Sequence, residues 1–411
     1  MDSRLLTGLA GAALLCLAAR GGAADRLSAT VQIPDGFTPN SAIVRARLPI
    51  DWNGPLEVTE LPGGRVSASQ FDPIARTVHW RLERPRAGET RTFEIVLPAG
   101  TDPEAEAEVG PPVAECRVTD DAATLVLSNR PVLRYNTAAV EPPTGLDPVF
   151  RRSGHIHPFW TPGGRVVTDE FPADHPHQHG VFSAWVHTSF EGRPVDFWNQ
   201  GQKTGTVEHR QLDDAASGPL FAGFVARLEQ IARIDGGDVP ALRETWRVRT
   251  WNLEGEDAFV VDVDVEQQGI EGRPLTVHEY HYGGFAVRGA AEWFQQPGSD
   301  FLTSEGRTRR DGNHTRPAWV ALHGTVDGAP SGIALICHPG SVRAPQPIRL
   351  HPDKPYFVYS PPVLGEFQLT ADSAYRARYR LVAFDGPPDA DRLNRLARDF
   401  AEPLTATLSA D

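Results

Sequence analysis

The chain has 411 residues, with 53 acidic against 40 basic side chains and a formal net charge of −13. That balance excludes a nucleic-acid binder, which needs a basic face, and disfavours docking on anionic lipid. One Met, 36 Pro and 38 Gly predict many turns and few long helices.

The first residues predict export. Arg4 gives a short basic region, Leu5 to Ala19 is an apolar run, and Gly22-Ala23-Ala24 offers small side chains for cleavage before Asp25. This is the pattern of a secretory signal peptide at 1–24, and its apolar run of about 15 residues is short for a membrane span. The mature chain is therefore expected in the periplasm or outside the cell, with no membrane anchor once the signal is removed. Two cysteines follow it, Cys116 and Cys337, and spacing alone leaves open whether they pair.

Period-2 alternation dominates the rest. Val78, Trp80 and Leu82 alternate with polar residues, as do Trp246 and Val248, then Val261, Val263 and Val265, then Tyr375, Ala377, Tyr379 and Leu381. Each run predicts a half-buried antiparallel strand. Near the end, Asp389 is placed to cap a helix carrying Leu393, Leu396, Ala397 and Phe400 on one face. The stretch 98–112, rich in Pro, Gly and Glu, reads as a linker. Before it, residues 25–97 suit a small β-sandwich of the fibronectin or immunoglobulin kind. After it, residues 113–411 form one large β domain with a C-terminal helix. The fold class is all-β.

Thirteen of the fourteen histidines lie between positions 155 and 351. The densest stretch is Asp174-His175-Pro176-His177-Gln178-His179-Gly180. On an extended segment the three imidazoles, spaced by two, share one side. Upstream stand His155, His157 and Trp160; downstream stand Trp185, His187, Asp196 and Trp198, then His278, Glu279 and His281, then Arg343, Arg349 and His351. Three readings compete. Neutral imidazoles suit Zn, Cu or Fe, so His175, His177 and His179 are candidate metal ligands, although the next Glu, Glu191, misses the spacing of a cupin. Alternatively, imidazoles near their ordinary pKa act as acid and base without metal, beside a carboxylate and Trp faces that stack on sugar rings. The third reading is that the histidines only satisfy buried loops; taken singly, His187, His209, His314 and His323 fit it best. A Gly-x-Ser-x-Gly elbow is absent, and Gly283-Gly284 lacks the dinucleotide spacing.

Several segments together resemble a known bacterial family labelled PmoA, or methane-oxygenase-like. They are Pro142 to Pro148, Arg151 to Pro158, Thr161 to Arg165, Asp174 to Gly180, Phe190 to Asn199, Gly205 to His209 and Tyr282 to Gly284. The label comes from a multi-span membrane protein, whereas no segment of the mature chain is long enough to span, so methane oxidation is not implied. Copper on His175, His177 and His179 would be its only trace. A looser likeness runs to aldose 1-epimerase, through His157-Pro-Phe-Trp-Thr-Pro162 and His179-Gly180. It implies a β-supersandwich, a metal-free site, His177 or His179 as acid and Glu279 as base.

The resulting expectation is an exported carbohydrate-active protein doing acid–base chemistry on a sugar or glycoside, as an epimerase, lyase or hydrolase. Its catalytic candidates are His177, His179, Glu279 and His281. Its candidates for holding a small-molecule or oligosaccharide substrate are His155, His157, Trp160, His175, Trp185, Asp196, Trp198, Arg151, Arg343 and Arg349. It expects no cofactor. The alternatives are a metal-dependent oxidoreductase built on the His triplet, with a divalent metal (Cu, Zn or Fe), and a non-catalytic glycan-binding protein.

Overall fold

The alternating stretches fold as strands wherever the sequence shows them. In the computed structural model, which describes residues 25–37, 41–49, 52, 54–98, 113–294 and 299–410, they become Thr77–Glu83, Gly237–Trp251, Ala258–Gly269 and Tyr375–Asp385. The expected signal peptide and all of the expected linker except Pro98 lie outside the described residues. No helix among the described residues is long and apolar enough to cross a membrane.

The chain divides into two units. The first pairs a five-stranded sheet with a three-stranded one around Leu27, Val31, Val44, Trp80, Phe93 and Ile95. Its edge strand is a surprise. Ala406–Ala410 pairs antiparallel with Asp25–Gln32, so residues 404–411 belong to this unit rather than to the large domain expected to run to 411. The physical reason is legible afterwards. Leu404, Ala406 and Leu408 alternate with threonine and serine, and the first two are buried in this core.

The second unit, residues 110–403, holds two eight-stranded antiparallel sheets and a four-stranded one. Between the large sheets lies a continuous apolar core. Tyr135, Ile156, Val181, Phe285, Val287 and Phe357 come from one sheet; Phe224, Trp246, Val263, Leu335 and Tyr379 come from the other. This is the sandwich architecture that the all-β reading predicts. The two thiols are not joined; Cys116 is half-buried and Cys337 buried, and burial pushes them up to about 12 and about 11, which leaves both unreactive.

The C-terminal helix, Ala390–Ala401, is capped by Asp389, whose carboxylate accepts from Arg392 N at 3.0 Å. Its apolar face, Leu393, Leu396 and Phe400, covers Val260, Trp319, Ile336 and Val382 on the far face of the second sheet. Arg380 beneath it is held by Asp262 through Nε at 2.6 Å and by the Leu396 carbonyl at 3.2 Å. Leu396 is fully enclosed, so Leu396→Ala should lower unfolding free energy by about 2–4 kcal/mol. Urea denaturation measures this, and a change below about 0.5 kcal/mol would show that the helix is not packed as described.

Candidate functional site

Directly opposed residues of antiparallel strands point to the same face. Ile156, Val181, Val287 and Phe357 are opposed in turn and face the core. Their strand neighbours therefore face outward. Asn136 opposes His155, Arg288 opposes Tyr356, and Phe182, Ala286, Val358 and Arg349 form one outer row. His155 and His157, flanking Ile156, thus stand on the outer face of this sheet.

Onto that face folds the excursion 169–180. Its ends are joined by a Glu170–His179 bridge and by Gly180 N donating to Asp169 O at 2.8 Å. Gly180 has φ +57°, and a Cβ there would collide with the Ile156 carbonyl oxygen. Only glycine lets the backbone approach this closely. Arg288 pins the excursion from below, donating to Gln178 Oε1 at 3.0 Å and to Asp174 Oδ1 at 3.2 Å.

The excursion brings Glu170 and His179 against His155. Nε2 of His155, a carboxylate oxygen of Glu170 and Nδ1 of His179 all lie within 4.8 Å of one another. Glu170 Oε1 is ion-paired with His155 Nε2 and stands 3.6 Å from His179 Nδ1. Both imidazoles are fully buried. Phe171 packs edge-on against His179 at 4.8 Å, and Phe182 lies beyond at 6.4 Å.

Hydrogen bonds around the group fix the tautomer of His179. The Gln200 amide nitrogen donates to the Arg151 carbonyl at 3.0 Å and to the Val149 carbonyl at 3.2 Å. Its oxygen must therefore face His179 Nε2, 3.0 Å away, which donates. That leaves His179 Nδ1 as a bare lone pair directed toward Glu170. Likewise, Asn136 Oδ1 accepts from Arg134 Nε at 3.0 Å and its nitrogen donates to the His157 carbonyl at 2.9 Å. The same nitrogen lies 3.1 Å from His155 Nε2, which is also in contact with the Glu170 carboxylate. Burial pushes His179 down to about 4. Burial pushes Glu170 up, but the two imidazoles outweigh this and hold it well below the usual carboxylate range. The arrangement places a carboxylate against the fully buried His155 ring and the Nδ1 of His179.

More open groups flank this centre. Tyr356 packs against the His351 ring at 5.0 Å and the His175 ring at 6.1 Å, and His175 meets His177 at 5.5 Å. Arg349 hydrogen-bonds to the Tyr356 hydroxyl, while its Nε is buried without a partner among the described residues. The exposed His281 lies between Tyr280 and Tyr282, with ring centroids 4.2 and 4.8 Å away, and feels the charge of Arg349. His157, half-buried, bonds Thr168 Oγ1 through Nδ1 at 3.0 Å.

Several expected site residues lie elsewhere or are fully used. The His triplet is not extended: the chain turns twice, with His175 N bonding Pro172 O and Gln178 N bonding His175 O. Consequently His179 dives inward while His175 and His177 stay at the surface, and His175 Nδ1 is taken by Asp174 at 2.6 Å. Trp185 and Trp198 are buried; Trp185 donates to Gln267 at 2.8 Å, and Trp198 packs beneath Tyr282 at 5.4 Å, so neither offers a face to a sugar. Asp196 spends its oxygens on the backbone of Trp198 and Asn199 and on the Asn199 side chain. Arg343 is committed to the carbonyls of Pro361, Gly365 and Glu366. Arg151 is exposed and pairs with Glu141. Trp160 closes the turn to Val166, where Thr161 and Arg165 bind Asp385. Glu279 is exposed, next to Tyr280. Asn136, Glu170, Gln200 and Arg288 escape the sequence reading altogether. The one available signal was Glu170, nine positions before His179, on the side where no carboxylate was sought.

A second relay stands on the four-stranded sheet. Ser189 Oγ lies 2.6 Å from His278 Nε2, and His278 Nδ1 lies 2.6 Å from Glu366. Ser189 sits on a strand paired on both sides, so its amide neighbourhood is taken up by the ladder and does not form an oxyanion cradle.

Burial pushes both His209 and His351 down to about 4 from the ordinary 6.5. Between those values the folded chain binds fewer protons than the unfolded one, so this stabilisation is present above pH 6.5 and is lost as pH falls toward 4. Denaturant midpoints across that window should fall less steeply for the double variant His209→Gln, His351→Gln; equal slopes would contradict the assignment.

Comparisons with known proteins add the following. No curated protein matches this chain. Two solved structures from Enterococcus faecalis are similar in outline: a protein in the glycosyl hydrolase family 38, at 11% identity and TM-score 0.45, and an alpha-mannosidase, at 9% and 0.43. The matches cover 94% of this chain but 47% and 46% of those, so the chain spans about half the length of the structures it resembles. These matches support neither the methane-oxygenase-like label nor the aldose 1-epimerase likeness. The family of unknown function DUF6807 matches residues 122–398, and the chain belongs to that family.

Proposed function

We propose that this protein binds a polyhydroxylated substrate, a sugar or glycoside, on the outer face of the Ala114-to-Leu350 sheet and acts on it by proton transfer. The observation that carries the reading is the gathering of phenols and half-exposed imidazoles around Arg349. Tyr280, His281, Tyr282, His351 and Tyr356 surround it, and its Nε keeps an unused N–H. Burial raises the Tyr282 and Tyr356 hydroxyls, so they stay protonated and donate. Burial lowers His281 and His351, so they stay neutral; His281 offers an acceptor, while His351 Nδ1 already accepts from Asp353 N and Lys354 N, so its Nε2 donates. A diol needs both kinds of partner within a short span, and the apolar face of a pyranose suits the Tyr280 ring. Arg349 fits a carboxylate or ring hydroxyl. Glu279, beside Tyr280, is the nearest exposed carboxylate in sequence to serve as base.

The reaction in this reading is epimerisation, elimination or hydrolysis, in the periplasm or outside the cell. The competing reading is a glycan-binding protein without turnover, and the same experiment separates the two.

Titrating neutral and acidic glycans into the pure protein by calorimetry should find a ligand. Tyr280→Ala and Arg349→Ala should each weaken it more than about tenfold, the cost of a lost stacking face or charged hydrogen bond. Arg151→Ala should leave binding unchanged. Absence of any glycan ligand, or equal affinity in all three variants, would remove the proposal. Incubated with the bound glycan, the protein should convert it, and His281→Ala should slow conversion more than it weakens binding. A glycan that returns unchanged supports the binding-only reading.

A further inference from the structure

We infer that His155, Glu170 and His179 form a binding site for one divalent transition-metal ion of the zinc or iron class. The inference does not rest on the sugar reading, because metal content is measured with no substrate present.

The case is one of lone pairs. Gln200 forces His179 to carry its proton on Nε2, so Nδ1 presents an acceptor toward Glu170 Oε1, 3.6 Å away. His155 Nε2 also confronts Glu170, with the Asn136 amide nitrogen 3.1 Å away. His179 Nδ1 is buried and has no hydrogen-bond partner among the described residues. A carboxylate and a bare ring nitrogen directed at one another repel unless something positive stands between them.

A proton is the obvious candidate, and it serves poorly. A proton on His155 Nε2 leaves that ring neutral and answers Glu170 alone; the His179 Nδ1 lone pair still faces the carboxylate 3.6 Å away. A proton on His179 Nδ1, added to the one on Nε2, makes a fully buried ring cationic. One divalent ion answers all three atoms at once.

The donor set selects the class of ion. Two imidazole nitrogens and one carboxylate oxygen suit borderline metals, whereas magnesium and calcium prefer oxygen alone. Ligand bonds of about 2.1 Å in tetrahedral geometry place ligand atoms about 3.4 Å apart. The His179–Glu170 separation of 3.6 Å is close to this, whereas His155 and Glu170 stand in direct hydrogen-bond contact and part to admit an ion. Ligating histidines ordinarily donate their second N–H to an acceptor; His179 does so to Gln200, while His155 Nδ1 has no partner among the described residues. Three protein ligands leave a coordination position for water or substrate. The expected triplet of His175, His177 and His179 is thus replaced by a set in which only His179 remains.

The test uses the full chain, stripped with chelator and then supplied in turn with Zn2+, Fe2+ and Co2+. Elemental analysis after desalting should find about one ion per chain for at least one of these, as for a preformed three-ligand site. Co2+ should give visible d–d bands and raise the melting temperature. Glu170→Gln and His179→Ala should each lower metal affinity more than about tenfold, while His175→Ala should not, since it removes no ligand. A wild-type chain that retains none of the three ions, or bound metal that survives both ligand variants unchanged, would overturn the inference. If a ligand variant fails to fold, the wild-type Co2+ spectrum decides: absence of d–d bands overturns it.

Discussion

The outer face of one eight-stranded sheet is organised by two side-chain amides that cannot turn round. Asn136 is held by Arg134 on one side and the His157 carbonyl on the other. Gln200 is held by the carbonyls of Val149 and Arg151. An amide with a fixed orientation dictates which atom of a neighbouring imidazole bears a proton. His179 therefore meets Glu170 with its acceptor atom, beside the fully buried ring of His155.

The rigidity that makes the constraint effective comes from the sheet. Asn136 and His155 are opposed residues on paired strands, so their spacing is set by the ladder. Glu170 and His179 come from a loop, which by itself would hold them loosely. The loop is secured by its own Glu170–His179 bridge, by a glycine that lets it touch Ile156, and by the buried guanidinium of Arg288 reaching Gln178 and Asp174. Burying Arg288 costs desolvation, which its bonds to that loop offset. The more open ring of Tyr280, His281, Tyr282, His351 and Tyr356 is supported from beneath by Trp198 and Phe182, at 4.6 Å from each other.

Much of the fold was legible because alternation and capping are local signals. The four alternating runs became strands, and Asp389 caps the helix as its position before Leu393, Leu396 and Phe400 implied. The site was less legible, because convergence is not local. Clustering of histidines pointed to the stretch that holds His155 and His179. Yet the spacing in His175, His177 and His179 suggested one shared side, and turns at Pro172 and His175 broke that geometry. Tryptophan is as well suited to a core as to a sugar, and Trp185 and Trp198 took the core. Arg343 looked available and is spent on three carbonyls. Asn136 and Gln200 carry no charge and no motif, so nothing in the sequence marked them as the residues that orient the rings.

The central claim is the protonation pattern itself, and nitrogen NMR reads it directly. In chelator-treated protein labelled with 15N-histidine, long-range proton–nitrogen correlations at neutral pH should show His179 protonated on Nε2 alone, with Nδ1 bare. A doubly protonated, cationic ring at either position would mean that a simple ion pair with Glu170 holds this centre together, and would contradict the account.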